Sequence, residues 1–271
     1  YGRRNDPASA LLVMRIPYIV LTIVGIGFGF LNINNFVLIL TDYSHLSAGA
    51  GLICLIAIFF RMYSAKYMPI GVQTALVTAF FIVSVFIYER LFLNSTITAI
   101  EMVLIVAIII GVAALSLLKN HISLSIEKIS IKGLIFASLG GGLNGLAFVM
   151  MADAAREVAP AASAILYNLF IGVFALLFMS ARKIKKDMFF EKMSRGTIAG
   201  LIGVSSLGAT IAISFAYAST LGPVTIVAGI EASAIVFAGL ISFLFWKERL
   251  SWKQWFLMGY MFLCIAGFKI F

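Results

Sequence analysis

Arg15, Glu89 with Arg90 beside it, and Glu231 are ionisable side chains set inside long apolar runs. A charge in such a run faces either lipid, at a cost of several kcal/mol, or a protein-lined interior. The chemistry open to them is recognition and proton transfer. A guanidinium matches a carboxylate or another anionic group, while a carboxylate takes an amine or a proton, because desolvation favours its neutral form. Tyr167-Asn168 adds an aromatic ring and an amide, and Asn144 adds an amide on a face of small residues, Gly140-Gly141-Gly142-Leu143-Asn144-Gly145. Arg15, Asn144, Tyr167, Asn168 and Glu231 are therefore the residues expected to line one central cavity and bind substrate. Arg15 would bind an anionic group or else balance Glu231; Glu231 would bind a substrate amine or carry a coupling proton. The competing expectation is an Arg15–Glu231 ion pair that only fixes helix packing. Glu89 and Arg90 lie about one and a half turns from the end of their run, where long side chains snorkel to the interface. They are expected to be anchors or gate residues.

The elements that carry these residues follow from composition. Of 271 residues, 62% are hydrophobic and 11% charged, with a mean hydropathy of +1.10. A soluble domain carries about a quarter of its residues as charges, so the chain is expected to be a polytopic membrane protein. The net charge of +9 then reflects the gathering of Lys and Arg in cytoplasmic loops rather than a nucleic-acid partner. Spanning a bilayer takes about 20 apolar residues per helix. Nine such runs are found, at about 8–30, 45–65, 69–93, 98–118, 132–152, 159–181, 196–217, 222–246 and 252–270. The stretch 31–44 is ambiguous and could be interfacial. No window alternates as a barrel strand would, so the fold is expected to be all-α. At 1.5 Å per residue, Arg15 lies about 12 Å in from Pro7 and Glu231 about 12 Å in from Pro223, both near the midplane.

Shifting the sequence by about 153 residues exposes an internal repeat. Asp6–Leu11 falls on Ala159–Ala164, Arg61–Pro69 on Phe215–Pro223, and Arg15 on Asn168. Two halves of five helices are expected, 1–120 holding helices two to five and 131–271 holding helices six to ten, with the first helix expected before Tyr1. An odd number of helices per half inverts one half relative to the other, the plan of many secondary transporters. Cys54 and Cys264 offer no disulfide or metal spacing, His45 and His121 stand alone, and no nucleophile elbow or phosphate loop occurs. No metal, cofactor or catalytic residue is expected. A membrane-embedded enzyme is the alternative by class.

Tyr63-Ser64-Ala65-Lys66-Tyr67-Met68-Pro69 with Phe92-Leu93, and Tyr217-Ala218-Ser219 with Pro223, Glu231 and Trp246-Lys247-Glu248-Arg249-Leu250-Ser251, resemble the drug/metabolite transporter superfamily, in its ten-helix members with two EamA-type repeats. Ala232, Lys247 and Ser95 depart from the residues usual there. The resemblance implies transport of small, amino-acid-like or amphipathic metabolites through a central cavity by alternating access, in a lipid bilayer, as in a prokaryotic inner membrane, with a proton as one candidate for coupling. Orientation is contested. Lys119, Lys128, Lys132 and the run Arg182 to Arg195 place those loops in the cytoplasm and both termini outside, whereas the resemblance implies cytoplasmic termini. Oligomeric state is not legible.

Overall fold

The computed structural model describes residues 13–29, 31–67, 70–93, 98–117, 131–184, 195–232 and 252–267. All regular structure among them is helical: α1 (Ile16–Gly27), α2 (Ile33–Thr41), α3 (Ser44–Ser64), α4 (Ile70–Phe92), α5 (Ala99–Leu117), α6 (Ile131–Glu157), α7 (Pro160–Ile184), α8 (Arg195–Leu221), α9 (Val224–Ala232) and α10 (Trp252–Gly267). Each apolar run read from the sequence contains one of these helices. By length and composition α3, α6, the Pro160–Phe178 part of α7, and α8 can each cross a bilayer. The chain is a polytopic helical membrane protein, in which each helix satisfies its own backbone hydrogen bonds, as lipid demands.

The ambiguous stretch 31–44 resolves as a helix. Asn32 caps it by accepting from the Asn34 N–H at 2.9 Å, and its buried Phe36 and Ile39 pack with Ala162, Ile165 and Leu166 of α7. Before it, the chain leaves α1 through Gly29, whose φ of 75° suits a residue without a Cβ, and the Leu31 N–H returns to the Gly25 carbonyl at 2.9 Å.

The chain divides into two compact units, Tyr1–Met62 with Leu146–Leu221, and Tyr63–Gly145 with Gly222–Phe271. Each takes segments from both halves of the sequence, so these units and the expected repeats are different divisions. In the first unit α7 is central. It packs against α1, α2 and α8, and every residue from Ala162 to Asn168 is buried, as a helix enclosed by others must be. On α8 the pattern is that of a membrane helix. Ser205, Ala209, Ala212 and Ala216 face inward, while Val204, Leu207 and Ile211 stay exposed. Small residues bring helices close where no hydrophobic driving force acts between them.

In the second unit α4 packs against α5 and α9, and α10 against α5. The first part of α6 lies on α4 without a gap. A Cβ on Gly141 would collide with the Val77 carbonyl oxygen and come within 2.9 Å of its Cα; one on Gly145 would collide with the Phe81 carbonyl oxygen. This glycine pair thus lets the backbones of α6 and α4 approach closely.

Candidate substrate site

Chemistry in the first unit begins with a break in a helix. Pro17 has no N–H to give to the turn before it, and the Tyr18 and Ile19 N–H groups both bond the Arg15 carbonyl, at 3.1 and 3.2 Å. α1 therefore starts at Ile16, with Arg15 at its N-cap in αR conformation. The Met14 carbonyl, which a continuous helix would bond to Tyr18, is instead taken by the Ser205 hydroxyl of α8. Broken backbone at membrane depth is tolerated where protein partners replace the lost bonds. Arg15 accordingly stands at the opening of a helix and not in the middle of one, as the sequence had led one to expect.

Its side chain is 8% exposed. Arg15 Nη1 donates to Asn168 Oδ1, and the Asn168 amide donates in turn to the Ala164 carbonyl at 2.9 Å. That second bond fixes which way the amide points, so its oxygen faces the guanidinium. Arg15 Cζ lies 5.5 Å from the centre of the Tyr18 ring, close enough for a cation–π attraction. Beneath the alkyl stem is Gly172, where a Cβ would come to 3.0 Å from Arg15 Cγ. Arg15 Nε is buried and, among the described residues, has no hydrogen-bond partner. A guanidinium carries five N–H donors, so this cation enters an apolar interior with one face satisfied and one donor open.

Tyr167 is next to Asn168 on α7 and is 2% exposed. Phe148 meets its ring edge-on at 5.8 Å and meets Phe215 edge-on at 5.1 Å. The Tyr167 hydroxyl lies near the Cys54 thiol and is buried without a hydrogen-bond partner among the described residues. Arg15, Tyr167 and Asn168 thus come together, joined by Tyr18, Cys54 and Gly172, which sequence reasoning had not placed there. Pro17 was the available signal, since a proline two residues after a buried arginine breaks the helix at that arginine.

Asn144 and Glu231 belong to the second unit. Asn144 is half-buried on α6 between Gly141 and Gly145, and Glu231 is half-buried in the last described turn of α9 with Oε2 shut away from solvent. Arg90 is exposed, as an interfacial anchor would be. Glu89 does not snorkel: it is 0% exposed and bonds the first turn of α9. Long side chains reach an interface only when their tip is free, and this tip is held. Among the aromatic residues, Tyr63, Phe80 and Tyr217 are exposed and Phe81 is buried. An apolar crevice of about 210 Å³ between α1, α7 and α8, lined by Leu21, Val24, Leu31, Ala161, Ile165 and Ile213, contains none of the candidate residues. It has the chemistry of a lipid-facing groove, so the polar cluster at Arg15 is the better site.

The model of the EamA-like transporter family matches residues 131–268. A solved crystal structure, 13% identical, superposes with a TM-score of 0.73 over 98% of this chain and 89% of that one, which is a likeness of fold. Among curated proteins there is no match.

Proposed function

The chain belongs to the EamA-like transporter family, and we propose that it moves small metabolites bearing an anionic group across a membrane by alternating access, as a multi-pass protein of a prokaryotic inner membrane. The observation that carries this reading is the open Nε–H of buried Arg15. A buried cation with an unused donor costs several kcal/mol unless something anionic or polar completes it. A substrate carboxylate does so, because Nη1 is already committed to Asn168 and Nε remains to meet the incoming oxygen. Tyr18 holds the guanidinium plane by its ring, and Gly172 leaves room for the stem.

Tyr167 and the Asn168 amide line the same place, and their contact residues Phe148 and Cys54 keep it apolar around the charge. In a low-dielectric setting that makes the remaining electrostatic attraction stronger. Glu231 and Asn144, in the second unit, keep the roles their chemistry suggests there, Glu231 by taking an amine or the coupling proton. Amino-acid-like and amphipathic compounds match such a set of groups.

The repeat read from the sequence, with residues 1–120 and 131–271 as two inverted halves, is part of the proposal. Arg15 and Asn168 are 153 residues apart, the repeat offset itself. Two positions related by a two-fold axis can touch only at that axis. Their hydrogen bond is what an inverted repeat with its substrate site on the axis requires.

The test is counterflow in proteoliposomes with an amino-acid panel and the corresponding methyl esters. The wild-type protein is expected to take up the acids saturably and to reject the esters. Arg15→Gln, which keeps a donor and removes the charge, should bring the acid-to-ester ratio down by about 10–100-fold, since a hydrogen bond to a charged group is worth about 1.5–3 kcal/mol. An unchanged ratio in a folded Arg15→Gln protein would sink the assignment. Product formation without translocation would move the protein to the enzyme class.

A further inference from the structure

Glu89 is a buried carboxylate that substrate recognition does not use. Its Oε1 accepts from the Val224 N–H at 2.7 Å, and its Oε2 accepts from the Thr225 N–H and the Thr225 hydroxyl, each at 2.7 Å. Val224 and Thr225 open α9. The Pro223 carbonyl takes the next two amides, Ile226 and Val227, at 3.1 and 3.3 Å. Helix openings leave several N–H groups without a partner inside the helix. Here two of them are supplied by one carboxylate borne on a different helix. Such bonds are about twice as strong as neutral ones, and the carboxylate also meets the positive end of the α9 dipole.

The other side of the link is equally firm. Glu89 stands in the last turn of α4, which the glycine pair of α6 holds by its backbone at Val77 and Phe81. On α9, Glu231 follows Val224 by seven residues, which at 1.5 Å and 100° per residue is about 10 Å along the axis and about 20° short of two full turns. Val224 and Glu231 therefore lie on one face of a straight helix. A slide or roll of the first turn passes undiminished to Glu231.

We propose that Glu89 is a positioning residue for Glu231, setting the depth and rotation of α9 by gripping its first two amides. The physiological importance of this grip rests on the proposed transport role of Glu231; the grip itself does not.

The experiment measures Glu231 directly in the full chain, reconstituted in liposomes. The probe is N,N′-dicyclohexylcarbodiimide, which modifies carboxyl groups in apolar surroundings, with the modified residue located by peptide mass spectrometry. Glu89→Gln keeps the side-chain volume but points an NH2 group at donors. The rate of modification at Glu231 should change by about fivefold or more, in line with the loss of a charge-assisted bond. Glu89→Asp, which retains the charge, should recover part of the change. Reactivity of Cys264 on α10, in the same unit, towards N-ethylmaleimide should stay within about twofold, because a positional effect leaves distant packing alone.

Thr225→Val removes the hydroxyl bond and keeps the shape, so it should shift Glu231 in the same direction by about twofold; it decides the matter where Glu89→Gln does not fold. Glu231 rates equal to wild type in both variants would overturn the proposal. So would a parallel rise at Cys264, which would mark general loosening. Normal transport by Glu231→Gln would remove the transport role of Glu231 and leave the labelling result standing, so the two failures are separable.

Discussion

Replacing Asn168 with Asp tests the open-donor reading without touching the arginine. The side chains are nearly isosteric, and Arg15 Nη1 already points at the oxygen concerned, so the substitution puts a carboxylate where an amide oxygen stood. The guanidinium then has an internal counter-ion. A substrate carboxylate bound at Nε would lie about 6 Å from that new charge, and at an effective dielectric of about 20 the repulsion is about 3 kcal/mol. Relaxation and water would lower this, which leaves about 10–100-fold weaker uptake of acids. Methyl esters carry no such charge and should be taken up about as before. One cost is local. The Nδ2 donation to the Ala164 carbonyl at 2.9 Å is lost and an oxygen faces an oxygen, worth about 1–3 kcal/mol against the folded state, partly offset by the new ion pair. The assay is concentration-dependent counterflow of acid and ester side by side, with thermal unfolding in detergent as the check on folding. Acid uptake within about threefold of wild type in a folded Asn168→Asp protein would refute the reasoning, because a satisfied guanidinium cannot have been the group that draws the substrate.

Two further outcomes follow from backbone contacts. Gly141→Ala and Gly145→Ala each drive a Cβ into a carbonyl oxygen of α4 and should destabilise by about 1–3 kcal/mol or more, read as a fall in Tm. Gly142→Ala, on the neighbouring position with nothing within 4 Å, should be neutral or raise Tm slightly through helix propensity. At the helix break, Ser205→Ala leaves the Met14 carbonyl without the hydroxyl that now satisfies it, at a cost of about 1–3 kcal/mol. The same variant should weaken acid uptake, since the break holds Arg15 at the opening of α1; a lower Tm with unchanged substrate affinity would contradict that link.

The helices and the membrane class were legible because both rest on long-range averages of apolarity, and every run of about 20 apolar residues contains a helix. The charged residues were legible too, since Arg15 and Glu231 are conspicuous in such runs, and the offset that laid Arg15 on Asn168 named a pair that the fold joins by a hydrogen bond. Other features turned on partners that one-dimensional reading does not supply. Glu89 looked like an anchor because it lies near a helix end, and burial shows only once α9 is packed against α4. Arg15 looked like a mid-helix residue because hydropathy does not register Pro17 as a break. Cys54 lacked any spacing that would connect it to Tyr167. The common cause is that an apolar sequence specifies where backbone can lie in lipid far more tightly than which side chains meet across it. Polar groups in such a chain are therefore best judged by their unused hydrogen-bonding capacity. Glu89 has filled its acceptors with a helix terminus and holds structure in place, whereas Arg15 keeps a buried donor open, and an open donor at the end of a broken helix is where a substrate anion has something to gain.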